Sequence, residues 1–543
     1  MDTLINKTKT IKDSIHGYIE IEDEYMKAFV DTPIFQRLGR IEQTSMRVLY
    51  PSARHDRFIH SIGTFFLGKK AFQCFKSNIE QDDNLKAVIE NFNCLQRSFE
   101  IACLLHDVGH APFSHTCEDF YKEKKTVSGE SEIDILLKGE LKIVLSPNDY
   151  TEFLCDYEEV SPAPHEIVSS IVILKSFKES VKRLDGDLGL IIRSIVGCTY
   201  MDTSCERGIR NCLIRMLNSP VIDVDKLDYI TRDSNLTGFS NSIIDTDRLL
   251  RSITAVKENG DDYFPAYNKN ALSVIQNVIS ANNAQHAWIV NHHVVVYNTY
   301  LIQTIINRIS KMVKPDQPNK FKEDLFSVDA IIGEQKCVND FKVNMISDDD
   351  LWYLFKLYQN EIKEVDELLN RAKRKKAVWK TCAEFTLLFD DNKNRSSYSN
   401  GDFDFNKFKS MFQACCDDAK NYNYHIFNDK NASLGGLDLC NILTEFCNTK
   451  DIDVSDLVIL EGGNPRKSKA VISRDMLRIR FFSGENGTKK YNNVMKFYQH
   501  EDIENNDTKK THYFYLFSSK TIDKNQLCNF IKSHKKLKYR ETV

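Results

Sequence analysis

The segment SFEIACLLHDVGH at residues 98–110 constrains the fold most, because it places side chains with metal-binding chemistry at the end of an apolar helix. Its apolar residues recur at helical intervals, which predicts a buried helix, and a glycine and a nearby proline predict its end. His106 and Asp107 are adjacent, and His110 returns to nearly the same face one turn later. An imidazole and a carboxylate in this arrangement can bind one metal ion. The pattern therefore predicts a helical core with a metal site at this helix end.

Two further candidate ligands lie elsewhere in the sequence, since a single His-Asp pair often only closes a helix by hydrogen bonding. His60 stands in RFIHS, and Asp225 stands in DVDK. Two imidazoles and two carboxylates would hold a transition metal and leave positions open for water or a substrate oxygen. A helix capped by Asp223 is predicted to carry Asp225, Tyr229 and Asp233 at four-residue spacing, so these side chains share one face. That face is predicted to line a cavity.

The composition predicts a globular, cytoplasmic protein. Hydrophobic residues make up 42% of the chain, charged residues 28%, and the formal net charge is −4. This balance gives no bulk attraction to nucleic acid, and the basic run at residues 371–376 is interpreted as a solvated helix end rather than a triphosphate or single-strand contact. We expect no membrane partner, because the N-terminus lacks an apolar signal region and no stretch of roughly 18 residues is free of charged or strongly polar groups. The 15 cysteines contain no CxxC pair, which predicts reduced thiols.

Helical patterning continues to about residue 380 and strand-like segments follow it, which predicts a mainly α fold with a smaller mixed α/β part. We predict a helical core over 1–390, with a variable excursion at about 121–164 and accessory helices at about 313–390. One long helix is predicted over 271–312. After a linker-like stretch, the segments DLVILEGG, MLRIRFFSG and THYFYLFSS have strand character. Residues 391–543 are therefore predicted to form a C-terminal α/β domain with a regulatory or oligomerisation role.

Four motifs in order, RFIHSIG, LLHDVGHAPFSH, HE at 165–166 and DVDKLDYITRD, resemble the HD-domain superfamily. The segments KDSIHGYIEI, DTPIFQRLGRIEQ and YPSARHDRF resemble one of its subfamilies, the deoxynucleoside triphosphate triphosphohydrolases, which include bacterial dGTPases and the vertebrate sterile-alpha-motif HD enzyme. The resemblance covers about residues 10–380. It implies an HD-domain core and a dGTPase-like enzyme. The implied reaction is hydrolysis of deoxynucleoside triphosphates at the α-phosphorus, giving a deoxynucleoside and intact inorganic triphosphate.

The resemblance also implies which residues carry the reaction. The implied metal ligands are His60, His106, Asp107 and Asp225. The metal would be iron, manganese or zinc, with magnesium or manganese on the substrate phosphates. The implied catalytic residues are His115, His110, His165 and the ligand Asp225. His115 matches the donor of a proton to the leaving 5′-oxygen, while His110 and His165 match phosphate-contacting or supporting groups. A purely structural histidine is the alternative for each.

The resemblance implies a substrate pocket as well. The implied substrate-binding residues are Gln43, Arg57, Lys226, Tyr229 and Asp233. Gln43, Tyr229 and Asp233 match the sugar side, Arg57 matches an α-phosphate contact, and Lys226 matches a phosphate contact. A core aromatic is the alternative for Tyr229. In the family a later helix supplies an arginine and a tyrosine, and this chain has Asn282 and Val290 at the corresponding positions. The phosphate contact of the arginine would then come from Lys226, from His286 or from the pair His292 and His293, or the substrate differs. For the pair, the favoured interpretation is that both are ordinary helix residues.

Regulation and alternative functions are open at this point. In the family an aspartate, a glutamine and an arginine form a nucleotide effector site between subunits. Asp31 and Gln36 match the first two residues, Gly39 stands at the arginine position, and Arg40 lies next to it. A helix start at Asp31 is the alternative. The resemblance predicts a homo-oligomer and, from family usage, nucleotide depletion in antiphage defence. The alternatives are an HD phosphohydrolase or phosphodiesterase acting on a signalling or cyclic nucleotide, and a nucleotide-binding sensor with low turnover.

Overall fold

The computed structural model describes residues 7–80, 92–122, 129–202, 205–239, 243–258, 262–333, 336–338, 341–390, 401–421, 427, 432–463, 478–482, 489–493 and 513–539. In these ranges the chain is mainly helical and its sheets are small, so the predicted fold class is confirmed. The chain divides into two compact units. The first consists of Met1–Gln285, Val313–Tyr353 and Lys467–Thr508, and the second of His286–Met312, Leu354–Arg466 and Lys509–Val543.

Helices provide most of the framework of both units. Single α-helical turns lie at Asp23–Tyr25 and Pro33–Gln36, and π-helical turns at Met26–Val30, Ile173–Phe177 and His286–Val290. The longer α-helices are α1 (Arg57–Glu80), α2 (Phe92–Leu105), α3 (Glu132–Val144), α4 (Pro147–Tyr157), α5 (Pro164–Val172), α6 (Lys178–Arg183), α7 (Leu188–Val196), α8 (Cys205–Leu217), α9 (Val224–Thr237), α10 (Thr246–Arg251), α11 (Leu272–Gln285), α12 (His293–Val313), α13 (Pro318–Leu325), α14 (Val328–Ile332), α15 (Asp348–Leu357), α16 (Lys363–Leu369), α17 (Cys382–Phe389), α18 (Phe405–Asn421), α19 (Leu434–Thr449) and α20 (Lys524–Ser533).

The core of the first unit is built on α1, which packs against α2 and α9. Both α1 and α2 bury apolar side chains around most of their circumference, as a helix in the middle of a core does. His60 lies in this buried part of α1, so its imidazole is enclosed by protein. A Cβ on Gly109 would lie 2.2 Å from the backbone nitrogen of Ser169, so only glycine lets α5 approach the turn after α2 this closely. These contacts bring the chemistry-bearing ends of three helices together.

Two predictions about helix limits had different outcomes. The predicted cap of α9 is confirmed, because the Asp223 carboxylate accepts a hydrogen bond from the Lys226 backbone at 2.7 Å. The single helix predicted over 271–312 is wrong, since α11 ends at Gln285 and a π-helical turn separates it from α12. The turn's hydrogen bond runs from Asn291 N to His286 O at 3.0 Å, and this wider spacing breaks the α-helical register.

The strands form small sheets, several of which the sequence reading missed. They are β1 (Thr8–Asp13), β2 (Gly17–Glu22), β3 (Ile253–Glu258), β4 (Asp262–Asn268), β5 (Lys336–Val338), β6 (Phe341–Val343), β7 (Lys376–Ala377), β8 (Val458–Glu461), β9 (Arg478–Phe482), β10 (Lys489–Asn493) and β11 (Phe514–Ser518). In the first unit β1 and β2 form an antiparallel hairpin, β5 pairs with β6, and a third sheet has the order β10-β9-β4-β3. In the second unit the order is β7-β11-β8, with both pairings antiparallel.

The second unit draws on chain segments from both sides of the boundary predicted near residue 391. Strand β7 precedes that boundary and pairs with β11, while Trp379 donates a hydrogen bond from its indole to the Phe514 carbonyl at 2.6 Å. Strand β9, in contrast, lies after the boundary and pairs with β4 of the first unit. The two units are therefore discontinuous in sequence, and the role of residues 391–543 stays a prediction. Among the described helices, none has the length and apolar character that a bilayer crossing needs.

Candidate active site

The four predicted metal ligands lie together in the first unit. His60 comes from α1, Asp225 from the first turn of α9, and His106 and Asp107 directly follow α2. The Nε2 atom of His60 lies 2.9 Å from Asp225 Oδ1 and 3.5 Å from Asp107 Oδ2. The Nε2 atom of His106 lies 3.4 Å from Asp107 Oδ1 and 3.6 Å from Asp225 Oδ1. Three of these side chains are buried and Asp225 is 32% exposed, so solvent reaches the group from the Asp225 side.

Both imidazoles turn an unpaired nitrogen toward these carboxylates. The Nδ1 atom of His60 lies 2.8 Å from Asp228 Oδ2, and the Nδ1 atom of His106 lies 2.9 Å from the Cys103 carbonyl oxygen. Because a carbonyl and an ionised carboxylate only accept hydrogen bonds, each Nδ1 carries a proton, so the neutral form of each ring has its lone pair on Nε2. Neither Nε2 atom has a hydrogen-bond partner among the described residues. Two lone pairs facing two carboxylates fit a divalent transition metal.

Electrostatics at this group also favour a cation. Burial by itself lowers the pKa of His60, but the Asp225 and Asp228 carboxylates outweigh it and raise that pKa to about 10. Burial by itself raises the pKa of Asp107, yet the Arg57 guanidinium and the nearby imidazoles hold it well below its usual range. The pKa of Asp225 is lowered in the same way by His106 and His60. Both carboxyl groups therefore stay ionised, which is the form that binds a metal ion.

A second histidine group surrounds Glu118, a residue that the sequence reading missed. Glu118 Oε2 lies 3.1 Å from His115 Nδ1, and Glu118 Oε1 is hydrogen-bonded to His165 Nδ1. The His110 ring stacks on the His165 ring with centroids 4.1 Å apart. One ligand atom from each of these four residues lies within 4.8 Å of the others, so this group too could bind a metal. The sequence held one signal for Glu118, which is that this carboxylate stands about one turn after His115.

Arg57 joins the two groups. Its Nη1 donates to Asp107 Oδ2 at 2.7 Å, and its Nη2 lies 3.3 Å from His115 Nε2. The remaining donors bind the Gln43 carbonyl oxygen at 2.8 Å and the Ser114 hydroxyl at 3.0 Å. The guanidinium is 4% exposed, so its charge acts in a largely water-free region. Arg57 therefore places one positive charge between the metal ligands and the second histidine group.

The residues predicted for the sugar side lie along α9 and its neighbours. The Tyr229 hydroxyl donates to Asn282 Oδ1 at 3.3 Å, so the residue predicted to stand at the family arginine's position borders this tyrosine. Asp233 is buried, with Oδ1 2.6 Å from His55 Nε2 and Oδ2 bonded to the Gln285 amide. Gln43 is buried and its Oε1 atom has no partner among the described residues. The sequence reading missed both partners of Asp233, because they lie far from it along the chain.

Other predicted residues have polar partners outside the predicted sites or belong to the second unit. The Lys226 ammonium group is bound to the Ser219 carbonyl and the Asp223 carboxylate, each at 2.5 Å. The predicted effector residues each have a different partner: Asp31 pairs with Lys9 at 2.8 Å, Gln36 donates to the Val30 carbonyl at 2.8 Å, and Arg40 pairs with Asp349 at 2.7 Å. His286, Val290, His292 and His293 belong to the second unit. The effector site therefore stays a prediction.

Comparisons with known proteins give distant relatives and a similar fold. No family model matches the chain. It is 26% identical to an uncharacterized protein of Methanocaldococcus jannaschii over 305 residues, which are 56% of this chain and 50% of the relative. It is also 26% identical to the deoxynucleoside triphosphate triphosphohydrolase SAMHD1 of Xenopus laevis over 388 residues, which are 68% of this chain and 54% of the relative. The chain thus spans about half the length of these relatives.

A solved structure extends the comparison to most of the chain. A phosphohydrolase from Bacteroides thetaiotaomicron superposes with a TM-score of 0.57 and 18% identity, covering 94% of this chain and 100% of that one. At this identity the likeness shows a shared fold. SAMHD1 of Danio rerio is 28% identical over 244 residues, which are 45% of this chain and 36% of the relative. The chain therefore shares the fold of that Bacteroides protein and resembles the deoxynucleoside triphosphate triphosphohydrolases, as its motifs predict.

Proposed function

We propose that the chain is a metal-dependent hydrolase that converts deoxynucleoside triphosphates to deoxynucleosides and inorganic triphosphate. The observation that carries this proposal is the pair of unpaired Nε2 atoms, on His60 and His106, that face two carboxylates beside a second histidine group. A metal alone would serve many reactions, whereas an adjacent proton donor suits the departure of an alcohol from phosphorus. The names of the SAMHD1 relatives support the substrate class.

The metal would be held by His60, His106, Asp107 and Asp225, and iron, manganese and zinc all suit this ligand set. When bound there, such a metal supplies Lewis acidity and lowers the pKa of a coordinated water. Asp228 and the Cys103 carbonyl oxygen keep the imidazoles of His60 and His106 in the tautomer that can bind it. Magnesium or manganese on the substrate phosphates would complete the charge balance.

The chain's own groups would handle the substrate's charge and the proton. Arg57 presents a buried positive charge next to Asp107, where an α-phosphate oxygen would be stabilised. His115 is 55% exposed, and its Nδ1 is held by Glu118. With Nδ1 on the Glu118 carboxylate, Nε2 lies 3.3 Å from Arg57 Nη2 and can accept from it, because a guanidinium only donates. To act as the proton donor, His115 would take up a proton on Nε2 and turn that nitrogen from Arg57 to the leaving 5′-oxygen.

The sugar would lie against α9. Tyr229 would place its ring where a ribose 2′-hydroxyl has no room, which favours deoxyribose. Asp233 is held by His55 and Gln285, so its carboxylate has a defined direction for a 3′-hydroxyl. The unpaired Oε1 of Gln43 is a further acceptor for a sugar hydroxyl. Asn282 removes one triphosphate contact that the family arginine would provide, so weaker triphosphate binding is expected here.

A product assay tests the proposal. The full chain is incubated with each deoxynucleotide and its ribonucleotide counterpart, singly and as mixtures, with Mn²⁺ or Mg²⁺, and products are resolved by anion exchange. Intact triphosphate from deoxynucleotides supports the proposal. Pyrophosphate or a linearised cyclic nucleotide would instead indicate a phosphodiesterase, and tight binding without products would indicate a sensor. Asp107→Asn should abolish turnover, whereas Asp247→Asn, at a carboxylate 60% exposed on α10, should not.

A further inference from the structure

A buried polar network connects the N-terminal hairpin to the metal ligand His60. We call it the hairpin network, and its members are Asp13, His16, Asp228 and Arg232. The carboxylate of Asp228 lies at its centre: Oδ2 is 2.8 Å from both His60 Nδ1 and Arg232 Nε. Oδ1 is 2.6 Å from His16 Nε2 and 2.9 Å from Arg232 Nη2. Four contacts therefore fix the orientation of the carboxylate that sets the His60 tautomer.

The hairpin supplies two of the four members. Arg232 continues from Asp228 to Asp13, with Nη1 2.9 Å from Oδ1 and Nη2 3.1 Å from Oδ2. The backbone N–H of His16 also donates to Asp13 Oδ2 at 3.0 Å. Gly17 follows with a φ of +81°, a conformation that favours glycine and lets the turn place both side chains on the same side. The turn of the hairpin thus holds Arg232 and Asp228 from one end.

Burial makes this arrangement sensitive to each member. Asp13 is 2% exposed, Arg232 1% and Asp228 0%, so water cannot replace a lost partner. Helix α1 also leaves space for the network, because a Cβ on Gly63 would lie 2.0 Å from Asp228 Oδ1 and 2.5 Å from Arg232 Nη2. Gly63 lies three residues after His60, on the same helix. Shape and hydrogen bonding therefore both define the position of Asp228 relative to His60.

We propose that the β1–β2 hairpin is a working part of the metal centre, with Asp13 and His16 as positioning residues that hold Asp228 against His60. The inference rests on the proposed function in one respect, that His60 binds the metal. If Asp13 loses its charge, Arg232 loses a bidentate partner and no longer holds Asp228 in one orientation. If His16 is lost, Asp228 Oδ1 loses its second contact. In both cases the His60 imidazole samples other tautomers and directions, and metal affinity falls.

The test compares metal binding by full-length variants with their stability. Asp13→Asn and His16→Gln keep the side-chain size, and Gly63→Ala displaces Asp228 by an independent route. Mn²⁺ dissociation constants are measured by electron paramagnetic resonance, and the Co²⁺ absorption band reports the ligand geometry. We expect about 10-fold weaker binding and an altered Co²⁺ band in all three variants. Ile19→Val, at a fully buried position in the same hairpin outside the network, should lower the melting temperature of the metal-free protein without changing either metal readout.

The outcomes separate the two proposals. Metal binding and Co²⁺ spectra that are unchanged in Asp13→Asn and His16→Gln would overturn the positioning role and leave the proposed function intact. The positioning role would also be overturned if Ile19→Val weakened metal binding as much as Asp13→Asn and His16→Gln do, since hairpin stability alone would then account for the effect. A wild-type chain that binds neither Mn²⁺ nor Co²⁺ would overturn the proposed function, and the inference with it.

Discussion

Replacing Glu118 by glutamine removes the negative charge between two imidazoles and keeps the shape of the side chain. The carboxylate now lies 3.1 Å from His115 Nδ1 and is also bonded to His165 Nδ1. Burial raises the pKa of Glu118 by itself, but the two imidazoles hold it well below its usual range, so the group is a carboxylate at neutral pH. An amide can accept from only one of the two rings. The variant therefore removes a charge-assisted hydrogen bond from one of the two imidazoles and leaves the other without its acceptor.

The size of the effect follows from the hydrogen bonds. A hydrogen bond to a charged group contributes about 1.5–3 kcal/mol and a neutral one about 0.5–1.5 kcal/mol, so the protonated ring loses about 1–1.5 kcal/mol. His115 is 55% exposed, which places its loss at the lower end of that range. Since about 1.4 kcal/mol corresponds to a factor of ten in rate, we expect kcat to fall about 5-fold near neutral pH.

The pH profile provides the sharper readout. Burial lowers the pKa of His165, but Glu118 outweighs it and raises that pKa, so the charge of Glu118 favours protonated imidazole in this group. Without that charge His165 is deprotonated at lower pH. The alkaline limb of the kcat profile should therefore move to lower pH, and the loss of activity should grow as pH rises. The assay is triphosphate release measured from about pH 6 to about pH 9.

A matched control is Glu179→Gln, because that carboxylate is 77% exposed on α6 and lies outside the histidine group. Its profile should coincide with that of the wild type. An alkaline limb that does not move in Glu118→Gln, with kcat near the wild-type value, would refute the reasoning. It would mean that neither histidine bound to Glu118 delivers the proton.

Three further predictions concern the pocket and stability. Asn282→Arg adds a cation beside Tyr229 and should lower KM for deoxynucleotides about tenfold through a charge-assisted phosphate contact. Steady-state kinetics measure this change, and an unchanged KM would place residue 282 away from the phosphates. Tyr229→Ala should let ribonucleotides compete with deoxynucleotides, measured as the ratio of their kcat/KM values, and an unchanged ratio would exclude Tyr229 as the selecting residue. Burial raises the pKa of Asp348 to about 7, so the folded protein holds this proton more tightly than the unfolded chain. The resulting stabilisation of the folded state is complete below the ordinary carboxyl pKa and is lost as pH rises through about 7. Asp348→Asn should therefore flatten the melting temperature between about pH 4 and about pH 7, whereas an equal slope in both proteins would contradict it.

Local patterns were sufficient where the evidence for an element lies within a few residues. The apolar periodicity before His106 predicted the helix that ends just before it, and Asp223 was recognised as a cap because capping involves the next turn only. The strand character of three C-terminal segments was also predicted, at β8, β9 and β11. The assignment of these strands to different units was not predicted, because pairing partners such as β4 and β7 lie far away along the chain.

The missed hairpin shows a signal that was present but weak. GYIEIE at β2 alternates apolar and polar residues, and Ile19 and Ile21 are buried while Glu20 is exposed. Such alternation predicts a strand, but the neighbouring β1 is mostly exposed and gives little support. A two-stranded hairpin is marginal by itself, so its stability comes from what it packs against. Here Ile19 and Ile21 are buried in the protein, and the turn contacts Arg232 and Asp228.

The sequence by itself determined the helical class and the residue types of the candidate metal site, because periodicity and motif spacing are local properties of the chain. Only the tertiary structure decided how the site is supported. His16 and Asp228 are 212 positions apart, and Glu118 lies 47 positions from His165. Packing of α1 against α2 and α9 brings such groups into a buried region, where each hydrogen bond restricts its partners because water cannot compete. No local pattern encodes those distances, so the orientation of His60 and of the histidine group follows from the fold.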